Sequence, residues 1–314
     1  MLLIRICFLS LFLLVSMTIG AGSAGAESTG QLRVVTSIKP VHSLVSAVMA
    51  DTGQPDLILD SASSPHGYIL KPSKAGLLAK ADIIFWIGPS LEAFLQKPVK
   101  TIGSSAISVE LAKADGLKTL PFREIGPDKH SDTAEAHDHG TVDPHIWLDP
   151  QNAKAMVRMI ANVLSAADAK NEKTYQANAY KLAKELDLRT DRSKGILTAV
   201  SKRPFVTHHD GYQYFERRFG LNSKGALIAN PEILPGMGHA LKIRDRLKTI
   251  GKSCLFTEKQ FSQKFVTVMT ENTDTKIALL DPLGSELKPG PELYFTLIEQ
   301  MTNAFYDCLS SLDN

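Results

Sequence analysis

Cysteine is scarce in this 314-residue chain: three in all, and one of them, Cys7, lies in an N-terminal apolar run. Charge of one sign is lacking too. Lys and Arg number 35 against 33 Asp and Glu, a balance that gives no reason to expect nucleic acid or an anionic membrane surface as partner. Beyond the N-terminus no run is long and apolar enough to span a bilayer. Local catalytic signatures are missing as well. There is no H-E-x-x-H, no P-loop G-x-x-x-x-G-K-[ST] and no G-x-S-x-G elbow. These absences tilt the chain toward a soluble binding protein without excluding hydrolysis.

What is present begins with an export signal. Arg5 is followed by an apolar run from Ile6 to Ile19 and by small residues ending Ala24-Gly25-Ala26, the pattern of a secretory leader cleaved after Ala26. A membrane anchor is the rival reading, for which the apolar core is short. Export makes the remaining cysteines, Cys254 and Cys308, a candidate disulfide, with two buried free thiols as the alternative. The length beyond the leader suits two domains or one large one.

Strand and helix patterns alternate along the chain. Leu32–Ser37, Leu57–Leu59 and Ile83–Ile87 have strand character, and Val41–Met49 and a segment opening at Ser73 have helical spacing. Ser90 is a candidate N-cap for a helix over Leu91–Gln96. Residues 123–142 are polar and His-bearing, with no apolar period, and are expected to form a mobile surface loop. Asn152–Leu164 is helical. In 171–200, Tyr175, Ala179, Leu182 and Leu186 mark one apolar stripe, so a single long helix is expected to link two halves. After Pro204, strands at Phe205–Thr207, Ala226–Ala229, Cys254–Thr257 and Ile277–Leu280 alternate with helices at Tyr212–Phe219, Ala240–Ile250, Gln263–Met269 and Pro291–Leu309. The expected fold is α/β: two lobes, each a parallel sheet flanked by helices, with residues 27–170 in the first lobe and 201–314 in the second.

Nine histidines carry the chemistry. Sites in parallel sheets lie at the carboxyl ends of strands, and that rule sorts them. His66 sits in Ser64-Pro65-His66-Gly67-Tyr68, after a strand. His145 is stiffened by Pro144 and flanked by Trp147 in Asp143-Pro144-His145-Ile146-Trp147-Leu148-Asp149-Pro150. His208 and His209 follow a strand, and Asp281 follows another, ahead of Pro282. Three imidazoles and a carboxylate suit a tetrahedral zinc site. His42 fits a structural role in a helix, and His239 is expected to be exposed. His130, His137 and His139 in the polar loop are either part of a solvated linker or a weak metal-collecting accessory.

Taken together, Ser37-Ile38-Lys39-Pro40-Val41, Pro65-His66, Lys71-Pro72-Ser73, Gly88-Pro89-Ser90-Leu91-Glu92, the Asp143–Pro150 stretch, His209-Asp210, Asp281-Pro282-Leu283-Gly284 and the two cysteines resemble the zinc-specific periplasmic solute-binding proteins of ABC importers, the ZnuA type of the cluster A-I (cluster 9) family. The resemblance covers essentially the whole chain beyond the leader. It implies two α/β lobes joined by a rigid long helix, with a metal in the cleft between them. It places the three ligand histidines at His66, His145 and His209, with Asp281 or water as the fourth donor, and pairs Cys254 with Cys308. It further implies a non-enzymatic, monomeric periplasmic protein that carries Zn2+ to an inner-membrane permease. A secreted zinc hydrolase, with Asp281 as general base, and a structural zinc in an adhesin or interaction module are the competing readings.

Overall fold

The computed structural model describes residues 31–60, 63–123, 142–228, 236–259, 261 and 263–313. The expected leader and the loop bearing His130, His137 and His139 lie outside the described residues.

Two four-stranded parallel sheets carry the fold. The first holds β1 (Val34–Ile38), β2 (Asp56–Leu59), β3 (Ile83–Trp86) and β4 (Ile107–Glu110) in the order β2-β1-β3-β4. The second holds β5 (Phe205–His209), β6 (Ser223–Ile228), β7 (Ser253–Thr257) and β8 (Thr275–Leu279) in the order β6-β5-β7-β8. The two windings are alike, so the halves echo each other in topology without a sequence repeat. β1, β3, β5 and β7 are buried at every position, which explains the unbroken apolar run Ile83–Trp86 of β3.

Between the strands run α1 (Lys39–Met49), α2 (Pro72–Lys80), α3 (Ala93–Thr101), α4 (Pro150–Ala167), α5 (Glu172–Thr198), α6 (Gln213–Phe219), α7 (Met237–Ile250), α8 (Gln263–Thr270) and α9 (Leu293–Ser310). Pro40, Pro72 and Pro150 stand in first turns, where a missing N–H costs nothing. The 27-residue α5 is about 40 Å long. It buries the expected stripe Tyr175, Ala179, Leu182 and Leu186, and continues it with Thr190, Ser193 and Leu197. Thr302 on α9 donates a hydrogen bond to Ser193 at 3.0 Å, so the polar end of the stripe is satisfied inside the core.

Among the described residues, three clusters form the interior. One lies between the first sheet and α2 and α3, including Ile58, Leu78, Ile84 and Leu95. Another lies between the second sheet and α7 and α8, including Val206, Leu247, Leu255 and Met269. The third and largest runs from Val34 and Phe85 through α1, α4 and α5 to Phe205, Phe256 and Phe305, so both sheets share it. Cys254 on β7 is disulfide-bonded to Cys308 on α9. Closing a loop with a sequence separation of 54 contributes about 4 kcal/mol in the chain-entropy account.

Two local expectations are corrected. The α3 N-cap is Glu92, not Ser90, because the buried Glu92 carboxylate accepts from Ile87 N–H at 3.3 Å and Gly88 N–H at 2.9 Å and fixes the turn. His208 and His209 are the last residues of β5 and do not follow it, because His209 pairs with Ile228 through the backbone, whatever its side chain.

Candidate metal centre

Strand ends and rigid turns deliver the three histidines. His66 rides on the loop after β2, where its N–H bonds Ser64 Oγ at 3.2 Å. His145 stands immediately before a 3₁₀ turn, Ile146–Leu148. Asp149 then N-caps α4, accepting from Gln151 N–H at 2.8 Å. His209 ends β5.

The surroundings of His145 come mostly from the second half of the chain. Trp147 Nε1 donates to Pro282 O at 2.9 Å and Tyr294 OH to Trp147 O at 2.6 Å. Tyr214 OH donates to Asp143 O at 2.8 Å. Arg218 grips Asp149 with two bonds of 2.6 Å, the bidentate geometry that fixes orientation as well as distance.

The imidazoles of His66, His145 and His209 converge. Each offers a ring nitrogen, and the three atoms lie within 4.8 Å of one another. Ring centroids are 5.2, 5.5 and 5.0 Å apart. His66 Nε2 and His145 Nε2 are 3.2 Å apart, close to the roughly 3.3 Å between donors at the corners of a tetrahedron with Zn–N arms of about 2.0–2.1 Å. Ser64, Pro65, Trp147, Glu258, Pro282 and Leu283 complete the pocket wall.

Two buried carboxylates stand behind the rings. Asp143 Oδ1 accepts from the His145 backbone N–H at 3.0 Å and meets His145 Nδ1 at 2.7 Å. Its other oxygen accepts from Gln213 Nε2 at 3.0 Å. Burial alone would raise the Asp143 carboxyl, but His145 and the donated hydrogen bonds more than offset this and hold it below the ordinary carboxylate range. Glu258 Oε1 lies 3.2 Å from His209 Nδ1. With Nδ1–H turned to a carboxylate, a neutral ring presents the Nε2 lone pair.

The remaining candidates separate cleanly. His208 alternates to the opposite face of β5, where it stacks on Phe261 with ring centroids 4.2 Å apart, and burial pushes its pKa down to about 4. Asp281 is not in the group. Its carboxylate accepts from Leu283 N–H at 3.3 Å, Ser285 N–H at 2.6 Å and Ser285 Oγ at 2.9 Å. His42 Nε2 meets Pro55 O at 3.1 Å inside the core, and His239 is exposed in the first turn of α7.

Sequence reasoning missed Asp143, Glu258 and Gly211. Asp143 lay inside the quoted motif, and an Asp two residues before a histidine is positioned to bond its backbone. Glu258 directly follows β7, so the strand-end rule that selected Asp281 could have selected it. A Cβ on Gly211 would lie 2.8 Å from His209 Cε1 and 3.2 Å from His145 Nε2, a crowding that only the folded chain reveals.

Two like-wound α/β sheets with convergent donors in a pocket between them define a protein of the solute-binding class. The family described as zinc-uptake complex component A, periplasmic (ZnuA), matches residues 34–308. The high-affinity zinc uptake system protein ZnuA of Brucella suis biovar 1 is 41% identical over 325 residues, covering 92% of this chain and 96% of that protein. Its counterpart in Paracoccus denitrificans is 32% identical, covering 92% and 96%. A crystal structure of ZnuA superposes with a TM-score of 0.72 at 22% identity, over 88% of this chain and 100% of that one. The Mn2+ complex of FpvC from Pseudomonas aeruginosa gives 0.77 at 20% identity, over 90% and 99%. At these identities the solved structures speak to fold alone. The chain belongs to the ZnuA family.

Proposed function

We propose that the protein binds Zn2+ in the periplasm through Nε2 of His66, His145 and His209 and delivers it to an inner-membrane ABC permease of the same uptake system. It acts as a carrier and not as an enzyme. The observation that carries this reading is the convergence of three imidazole nitrogens within 4.8 Å. Three nitrogen donors favour zinc over manganese by ligand preference. Asp281 is held by its own turn, which leaves the fourth position to water.

In this reading residues 27–170 and 201–314 are the two lobes, 171–200 links them, and the ion sits between. His130, His137 and His139 form an accessory zinc-collecting segment. The chain works as a monomer after cleavage behind Ala26; intact mass and sedimentation of the exported protein check both points.

Titration of Zn2+ and Mn2+ into the purified protein and its variants tests the site. His145→Ala and His209→Ala are expected to weaken zinc by more than about 100-fold, beyond the usual effect of losing a supporting partner. Asp281→Asn should stay within a fewfold of wild type. Unchanged zinc affinity in His145→Ala would sink the assignment, and a large loss in Asp281→Asn would return that carboxylate to the ligand set.

A further inference from the structure

We propose that Glu258 is a positioning and charge-matching residue of the metal pocket, fixing His209 and, together with Asp143, fitting the pocket to a divalent cation. The proposal rests on the zinc-binding reading above and adds a residue to it.

Geometry supplies the first half of the argument. Glu258 is 3% exposed, on a wall of the pocket, and its Oε1 is 3.2 Å from His209 Nδ1. An imidazole on a strand end can rotate and can carry its proton on either nitrogen. A carboxylate on Nδ1 removes both freedoms and leaves Nε2 as the nitrogen with the free lone pair. Asp143 does the same for His145 at 2.7 Å. The two buried rings thus have matching carboxylate supports from different parts of the chain, one before α4 and one after β7.

Charge supplies the second half. Three neutral imidazoles bring no charge to balance an ion taken out of water, and an uncompensated buried charge is costly. Two buried carboxylates one ring away balance a dication. Neighbouring Lys259 does not cancel Glu258, because it pairs outward with Glu286 at 2.5 Å.

Two substitutions separate orientation from charge. Glu258→Gln keeps an acceptor for Nδ1–H and removes the charge, whereas Glu258→Leu removes both. The metal-free proteins are compared by 15N-resolved imidazole NMR at about pH 8, above the ordinary imidazole range, and zinc affinity is measured by chelator competition. His209 is expected as the Nδ1–H tautomer in wild type and in Glu258→Gln, with the Nε2–H tautomer appearing in Glu258→Leu. Zinc should weaken about 10-fold in Glu258→Gln and about 100-fold in Glu258→Leu. An Nε2–H tautomer in wild type, or zinc affinity within twofold of wild type in both variants, overturns the proposal. Failure of wild type itself to bind zinc refutes the functional reading instead, so the two failures are distinguishable.

Discussion

Gly211 shows how a residue without a side chain can hold a site open. The turn after β5 must pass close beneath two imidazoles, and a Cβ there would press on His209 at 2.8 Å and reach within 3.2 Å of His145 Nε2. His209 cannot swing away freely, because its Nδ1 is engaged by Glu258. Gly211→Ala is therefore expected to weaken zinc by about 10-fold or more, the scale of a disturbed supporting contact, while the metal-free protein keeps its thermal midpoint to within a few degrees. Zinc titration beside a melting curve checks this; unchanged affinity would mean that the turn has room to relax. The same residue marks the limit of reading a site from sequence. His66, His145 and the pair His208-His209 were visible because imidazole is a distinctive ligand at strand ends and turns, and the family resemblance chose His209 of the pair. Gly211 was not, because its importance lies in the space its missing Cβ leaves beside two imidazoles, whereas Glu258 stood at a strand end that the same rule could have flagged.

Elements were legible where one side-chain period dominates. The α5 stripe of Tyr175, Ala179, Leu182 and Leu186 gave a helix within two residues of its ends. Strand β4 escaped notice because only Val109 of its four residues is buried, so no apolar run announces it. β6 begins at Ser223, ahead of the expected Ala226, since backbone pairing to β5 extends through Ser223-Lys224-Gly225 across a register shift. The β3–α3 turn carries its own prediction. Burial raises the Glu92 carboxyl from 4.5 to about 7, although Ser37 and the Gly88 and Ile87 N–H groups favour its charged form. Between these two values the folded protein keeps a proton that the unfolded chain releases, so this group's contribution to stability is present below about pH 4.5 and is lost as pH rises toward 7. Glu92→Gln should flatten that decline, by about 3 kcal/mol at most at 1.36 kcal/mol per pKa unit. Denaturant unfolding of the metal-free wild type and variant at about pH 5 and about pH 7.5 measures the difference; parallel slopes would show that Glu92 is ionised in the fold.

At the scale of the whole molecule, the two sheets are not independent bodies. The core that begins under the first sheet continues through α1, α4 and α5 into the phenylalanines of the second. The C-terminal helix α9 returns to α1, where Ser43 Oγ donates to Pro291 O and accepts from Tyr294 N–H, both at 2.9 Å. Lys39, at the start of α1, donates to the carbonyls of Gly284, Ser285 and Leu287 at 3.3, 2.6 and 3.0 Å. It thereby ties the loop after β8 to the first half, beside the pocket. The Arg123 guanidinium reaches from the first half to Asp210 and Glu216, next to His209. An interior shared this way resists the separation of its halves, so unfolding should be one cooperative transition, with circular dichroism and tryptophan fluorescence coinciding. Zinc enters that equilibrium through the folded state, because the unfolded chain has no assembled pocket. At a free concentration about a thousand times Kd it should add roughly 4 kcal/mol, equivalent to a rise in Tm of about 8 °C for a chain of this size. Two resolved transitions with only one moved by zinc would show instead that the sheets fold separately and that the ion reports on one of them.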